Sequence, residues 1–122
     1  MPAQYVIDRA LRTVLTKFSG ALTLGEVVDH IKTLRTDPDF DLTFDEIVDL
    51  SEATDVQLDY LDFQRLKSID PFSEESRRAF VIPSRNVVYG VTRMFQALRE
   101  ADAHIEIFDT TEEARRWVSE QS

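Results

Sequence analysis

Residues 78–84 read Arg-Ala-Phe-Val-Ile-Pro-Ser and contain the most continuously apolar strand candidate in the chain. An apolar run without polar alternation is typical of a strand buried on both faces, as a central strand of a parallel sheet is. Pro83 ends the strand because its nitrogen has no hydrogen to donate, and Ser84 is a residue type that caps helices. Apolar residues then recur at helical spacing as far as Leu98. The segment therefore predicts a central strand that leads directly into a long helix.

The N-terminal part of the chain predicts a hairpin followed by a helix. Residues 4–8 are short and β-branched, and residues 11–19 alternate between apolar and polar side chains. The break between them is so short that it favours an antiparallel pair. Residues 23–26, Thr-Leu-Gly-Glu, are a capping box that starts a helix, which Pro38 stops.

Two further strands and two further helices complete the prediction. Residues 44–50 form a strand in which Ile47 and Val48 are buried on both faces, and Asp59 caps the helix that follows. Residues 105–108 form the last strand. A final helix starts at Thr110 or Thr111 and carries acidic residues in its first turn, where the helix dipole favours them.

The predicted element order is β-β-α-β-α-β-α-β-α, which is typical of a single α/β domain. Because strands and helices alternate after the hairpin, the later strands run parallel through right-handed crossovers. The length of 122 residues fits one domain, residues 1–122, with one core. We therefore expect a five-stranded mixed sheet with an antiparallel N-terminal hairpin and with helices covering the parallel strands.

The amino-acid composition limits the kinds of partner that the protein can bind. The chain has 23 acidic and 14 basic residues, a net charge of −9, so its field repels nucleic acid. It has no cysteine, which excludes disulfides and thiolate metal sites and is consistent with a reducing compartment. No run approaches the roughly 20 apolar residues of a membrane span, and no basic start with an apolar core of a signal peptide is present. A cytoplasmic location without a membrane span is the expectation.

Three segments carry a resemblance to a known family. They are residues 47–54 (Ile-Val-Asp-Leu-Ser-Glu-Ala-Thr), residues 89–95 (Tyr-Gly-Val-Thr-Arg-Met-Phe) and the closing strand and helix between residues 107 and 118. With the element order, these resemble the SpoIIAA-like (STAS-type) domains over about residues 4–119. The resemblance implies a five-stranded mixed sheet with helices, a fold related to the lipid-carrying CRAL-TRIO domains.

The sequence departs from the phosphorylated members of that family. Those that antagonise anti-sigma factors carry an Asp-Ser-Ser cluster a few residues after the third strand, which falls near residues 57–59 here. No Ser or Thr lies between Asp55 and Ser68. Ser51 and Thr54 lie at the predicted strand exit, where turn and capping roles are common. A serine phosphoswitch is therefore disfavoured.

Metal and cofactor motifs are absent from the sequence. Asp37, Asp39 and Asp41 have the spacing of the first three calcium ligands of an EF-hand loop. The loop also requires Gly at its sixth position and Glu at its twelfth, and Leu42 and Val48 occupy these positions. With three glycines, the chain has no Walker loop, dinucleotide-binding turn or nucleophile elbow. We expect no metal and no cofactor.

The two histidines, His30 and His104, are far apart in sequence and follow no metal-binding pattern. Structural or surface roles are the simplest interpretation for both. A general base or a metal ligand remains the alternative, because an imidazole titrates near neutral pH and commonly binds metal ions.

The strongest candidate site follows the central strand. It consists of five predicted ligand-binding residues: Ser84, Arg85, Asn86, Tyr89 and Arg93. The helix start would lie at the carboxyl end of a parallel strand, where ligands bind in open α/β sheets and free N–H groups attract anions. The spacing of Arg85, Tyr89 and Arg93 places them on one helix face. The competing interpretation is that these arginines form ion pairs with neighbouring acids.

These features favour a non-catalytic binding or regulatory module. It would hold a small amphipathic or apolar, lipid-like ligand, or dock a protein partner, near the carboxyl ends of the parallel strands. The ligand version rests on analogy of fold. The alternative is a small hydrolase that uses carboxylates with His104 or Tyr89. The hairpin edge or an outer helix could also join two copies.

Overall fold

The structure of the protein is a computed structural model that describes residues 3–86 and 104–120. The strands in these residues are β1 (Ala3–Asp8), β2 (Thr13–Thr23), β3 (Asp45–Gln57), β4 (Arg78–Val81) and β5 (Ile105–Phe108). The helices are α1 (Leu24–Arg35), α2 (Tyr60–Ile69) and α3 (Thr111–Ser119). The helix predicted after Ser84 lies outside the described residues.

The five strands form one mixed sheet in the order β1-β2-β3-β4-β5. β1 and β2 are antiparallel, and the other neighbours are parallel. The apolar strand β4 lies inside the sheet between β3 and β5, which confirms its predicted interior position, although the middle strand of the five is β3. The predicted α/β class and mixed sheet are therefore correct.

The prediction was wrong about the lengths of β2 and β3. We expected β2 to end before Gly20 and β3 to end at Leu50, but the two strands stay paired as far as Thr23 and Gln57. The register shifts between Lys17 and Ser19 and again between Gly20 and Ala21. At each shift β3 has one residue more than β2, which is the pattern of a β-bulge. The pairing therefore continues past Gly20, whose φ is 72°.

The start of β2 also differs from the prediction. Leu11 and Arg12 belong to the turn after β1, not to the strand, which begins at Thr13. Arg12 has a φ of 53°, in the left-handed region. The turn is closed by the Leu11 N–H, which donates to the Asp8 Oδ1 atom at 3.0 Å.

Alternation along the strands divides the core between two faces of the sheet. The α1/α2 face carries Val14, Thr16, Phe18, Glu46, Val48 and Phe80. The α3 face packs against the last helix through Ile47, Ala79, Val81, Ala114 and Val118. Neighbouring residues of one strand thus enter different environments, because successive side chains point to opposite faces.

Local capping accounts for the helix starts. The Thr23 hydroxyl accepts from the Glu26 N–H at 3.3 Å, and the Thr110 hydroxyl accepts from the Glu113 N–H at 3.2 Å. Asp59 and Asp62 form a reciprocal capping box. Within the described residues, no helix combines the length and apolar character needed to cross a membrane.

Candidate functional site

The described part of the predicted site lies just beyond β4. Ser84 and Arg85 are exposed, and the Ser84 N–H donates to the Asp109 Oδ1 atom at 2.8 Å. Tyr89 and Arg93 lie outside the described residues. The proposed helix face of Arg85, Tyr89 and Arg93 therefore stays a prediction.

Asn86 has a structural role at the end of the sheet. Its Nδ2 group lies within hydrogen-bonding distance of three carbonyl oxygens of β3, at 3.1 Å from Ser51, 3.3 Å from Ala53 and 3.4 Å from Leu50. The amide thereby connects the segment after β4 to the bend in β3, which fixes where the chain leaves the sheet.

The hydrolase alternative, which uses carboxylates with His104 or Tyr89, stays a prediction. The His104 backbone carbonyl accepts from the Arg78 N–H at 2.8 Å and extends the pairing of β4 with β5. Tyr89 lies outside the described residues. Within residues 3–86 and 104–120, no group of three His, Asp or Glu side chains could hold a metal ion.

A cavity of about 130 Å³ lies between the α1/α2 face and the two helices that cover it. The sheet and the helices contribute mainly apolar side chains to its wall. Representative lining residues are Phe18, Val48, Phe80, Ile31, Phe63 and Leu66. None of Ser84, Arg85 and Asn86 is among the described lining residues. The sequence analysis did not anticipate this cavity.

One part of the cavity wall is charged, and Glu46 is at its centre. The Glu46 side chain is 3% exposed, although it lies in a predicted core strand. Its Oε1 atom accepts from Arg78 Nε at 3.1 Å and from Arg78 Nη2 at 2.7 Å. Its Oε2 atom accepts from the Thr16 hydroxyl at 2.9 Å. Both carboxylate oxygens are therefore satisfied inside the protein.

Arg78 connects Glu46 to a second carboxylate. Its Nη1 atom donates to Asp70 Oδ2 at 2.5 Å, and its guanidinium lies over the Phe72 ring, 4.4 Å from the ring centroid. We call Glu46, Asp70, Arg78 and the neighbouring His30 the buried charge cluster. It contains two carboxylates and one guanidinium, and all four residues line the cavity.

The ion pairing in the cluster controls its protonation. Burial is the largest single effect and raises the pKa of the Glu46 carboxyl. The charge and hydrogen bonds of Arg78, together with the charge and hydrogen bond of His30, outweigh burial and lower that pKa to about 2. Burial lowers the pKa of the Arg78 guanidinium, but Glu46 and Asp70 outweigh this effect and raise it above its usual range. Glu46 and Arg78 are therefore both charged near neutral pH.

His30, the fourth member of the cluster, is buried, at 7% exposure. Its Nε2 atom lies 3.4 Å from the Thr16 hydroxyl oxygen and 3.7 Å from Glu46 Oε2. Its ring makes edge contacts with Tyr5 and Phe18, at centroid distances of 5.4 and 5.5 Å. The structural role expected for this histidine agrees with its position in the core.

A solved structure has a similar fold. It is that of an uncharacterised protein of the DUF3478 family from Shewanella loihica, described as having a SpoIIAA-like fold. The match has a TM-score of 0.67 and covers 96% of this chain and 93% of the other. The chain has a SpoIIAA-like fold. The sequence identity is 16%, so the likeness concerns the fold alone. No protein-family model and no curated protein matches this chain.

Within this SpoIIAA-like fold, Thr16, His30 and Glu46 have the residue types of a catalytic triad but not its geometry. In a triad, the carboxylate holds one imidazole nitrogen while the other nitrogen takes the nucleophile's proton. Here the hydroxyl and the carboxylate both lie at Nε2, and the Thr16 hydroxyl donates directly to Glu46. Thr16 is also 2% exposed. This hydroxyl is not activated for attack on a substrate.

Glu46 was missed although its sequence carried a signal. Alternation from Phe44 places Glu46 on the same strand face as Val48 and Leu50, so a carboxylate in the core was predictable. Its partner was not predictable in the same way. Arg78 reaches Glu46 only because the two residues are in register between the parallel strands β3 and β4 of the SpoIIAA-like sheet.

Proposed function

We propose that this protein is a non-catalytic binding module that holds a small apolar or amphipathic ligand in the cavity under α1 and α2. The observation that carries the proposal is the cavity itself, with apolar walls that end in the buried charge cluster. Such a combination, a mainly apolar hollow with a few converging polar groups, is the usual composition of a small-molecule site.

The size of the cavity indicates the size of the ligand. Its volume of about 130 Å³ is close to that of an engineered apolar cavity in another protein, about 150 Å³, which binds benzene. A six-membered ring or a short alkyl segment therefore fits.

The proposal extends to the carboxyl ends of the strands. Leu50 and Val56 of β3 line the cavity. The cavity therefore extends along the carboxyl-terminal half of β3, toward the end of the sheet where the predicted site lies. Ser84 and Arg85 are exposed there. We retain the predicted residues after β4 as the proposed contact for a ligand that extends out of the cavity, or for a protein partner.

The direct test is to fill the cavity from α2 and measure binding of toluene. Leu66 lines the cavity, whereas Leu61, on the same helix, is 62% exposed. We expect the unmodified protein to bind toluene saturably, with a Kd below about 1 mM, equivalent to about 4 kcal/mol. Leu66→Trp should weaken binding at least tenfold, and Leu61→Trp should leave it unchanged. Chemical-shift changes in amide NMR spectra give the Kd of each.

Two results would overturn the proposal. One is that toluene produces no saturable shifts in the unmodified protein. The other is that Leu66→Trp and Leu61→Trp, both folded, bind toluene equally well. If Leu66→Trp does not fold, Val56→Phe fills the cavity from β3, and Val6→Phe on the exposed edge strand is its control.

A further inference from the structure

We infer that the ligand's polar group accepts hydrogen bonds without carrying a negative charge, so that the cavity takes a small neutral amphiphile such as an alcohol and discriminates against carboxylates. The inference rests on the proposed function, because it assigns the chemistry of the ligand that the cavity would hold.

The charges of the described residues that line the cavity disfavour a negatively charged ligand. The described lining residues include two carboxylates, Glu46 and Asp70, but one guanidinium, that of Arg78. With a neutral His30, the cluster has a net charge of −1. With a protonated His30, its charge is zero. In neither state is there a net positive charge to offset a ligand carboxylate, which would also lose its hydration on entering an apolar hollow.

The cluster does have hydrogen-bond donors left over. A guanidinium has five N–H groups, and Arg78 uses three of them, toward Glu46 and Asp70, among the described residues. A hydroxyl or carbonyl oxygen is an acceptor that can use a remaining N–H without adding charge. The spare hydrogen-bonding capacity of the cluster therefore matches a neutral oxygen.

A series of probes with the same ring separates these head groups. Toluene, benzyl alcohol and benzoate all fit the estimated size and differ in charge and hydrogen bonding. At pH 7 we expect benzyl alcohol to bind at least tenfold more tightly than benzoate, with toluene no tighter than benzyl alcohol. The inference is overturned if benzoate binds as tightly as benzyl alcohol.

The series also separates this inference from the proposed function. Absence of saturable binding by all three probes would mean that the proposed function has failed. Binding of toluene together with a preference for benzoate would mean that the cavity binds ligands but that its selectivity was inferred wrongly.

A charge variant tests whether the cluster is the cause. Asp70→Asn removes one negative charge with little change in shape, and we expect the ratio of the benzoate Kd to the benzyl alcohol Kd to fall at least threefold. Glu106→Gln is the matched control, because Glu106 is exposed on β5 and the substitution changes the net charge equally. Equal changes of the ratio in both variants would attribute the selectivity to the overall charge and overturn the inference.

Salt provides a second measurement that does not depend on a variant. Interactions between exposed charges are largely screened at about 0.5 M salt, whereas buried ones are screened much less. The preference for benzyl alcohol over benzoate should therefore persist at that concentration. Its disappearance would contradict a buried origin.

Discussion

The two faces of the sheet use the same strands but differ in chemistry. On the α3 face, Ile47, Ala79 and Val81 pack against the last helix in an apolar core. On the α1/α2 face, the neighbouring residues Glu46 and Arg78 form an ion pair beside a cavity. One face therefore has an apolar core under the last helix, and the other combines apolar packing with a charged cluster beside the cavity. The ligand binding that we propose concerns the second face.

The largest expected effect is the loss of stability caused by placing a charge in the apolar α3 face. Val81 is 2% exposed, so Val81→Asp would bury a carboxylate with no partner in its surroundings. We expect a loss of more than about 4 kcal/mol and an unfolded protein. Circular dichroism and urea unfolding measure the change. The control is Val6→Asp on the exposed edge strand, which should remain folded. A stable Val81→Asp variant would contradict the assignment of the α3 face as closed core.

The second-largest expected effect is the loss of stability caused by removing one partner of the Glu46–Arg78 ion pair on the α1/α2 face. Arg78→Leu leaves Glu46 buried without its main partner, and such a change costs about 3–5 kcal/mol. Glu46→Leu combined with Arg78→Leu removes both charges and should recover at least about 2 kcal/mol of that loss in urea unfolding. Strictly additive losses in the double variant would show that the pair does not interact as the geometry indicates.

The pH dependence of stability sharpens the same comparison. The pKa of Glu46 is about 2 in the folded protein, below its ordinary value of 4.5. A lowered carboxyl pKa stabilises the folded state fully above the unfolded pKa, and the contribution is lost as the pH falls from about 4.5 to 2. We expect the stability difference between the unmodified protein and Glu46→Gln to shrink by about 3 kcal/mol over this window.

Urea unfolding at several pH values between 5 and 2 gives this difference. Glu106→Gln is again a suitable control, because its exposed carboxylate lies in no buried pair. If the difference between the unmodified protein and Glu46→Gln does not change with pH, Glu46 does not have the lowered pKa that its partner Arg78 implies.

The smallest expected effect concerns the segment after β4. Arg85 is exposed, so Arg85→Ala should change stability by no more than about 0.5 kcal/mol. A thermal-unfolding midpoint close to that of the unmodified protein is the expected result. Substantial unfolding would show that this arginine supports the fold and would remove it from the proposed ligand contact.

The elements predicted correctly depend on signals between near neighbours. Thr23, Asp59 and Thr110 cap helices through groups three residues away, and the apolar run at β4 indicates an interior strand by itself. The extension of β3 to Gln57 was not predictable in this way. Two of its last three residues, Asp55 and Gln57, are polar. All three adopt strand geometry because they pair with the part of β2 that follows Gly20.

By itself, the sequence determined the α/β class, the antiparallel hairpin, the helix starts and the interior position of β4, because periodicity and capping are encoded within a few residues. Only the tertiary structure decided the candidate site. Glu46 and Arg78 are 32 residues apart and meet through the register of two parallel strands. The cavity lies between the sheet and the two helices that cover it, and it depends on how side chains that are far apart in the sequence pack together.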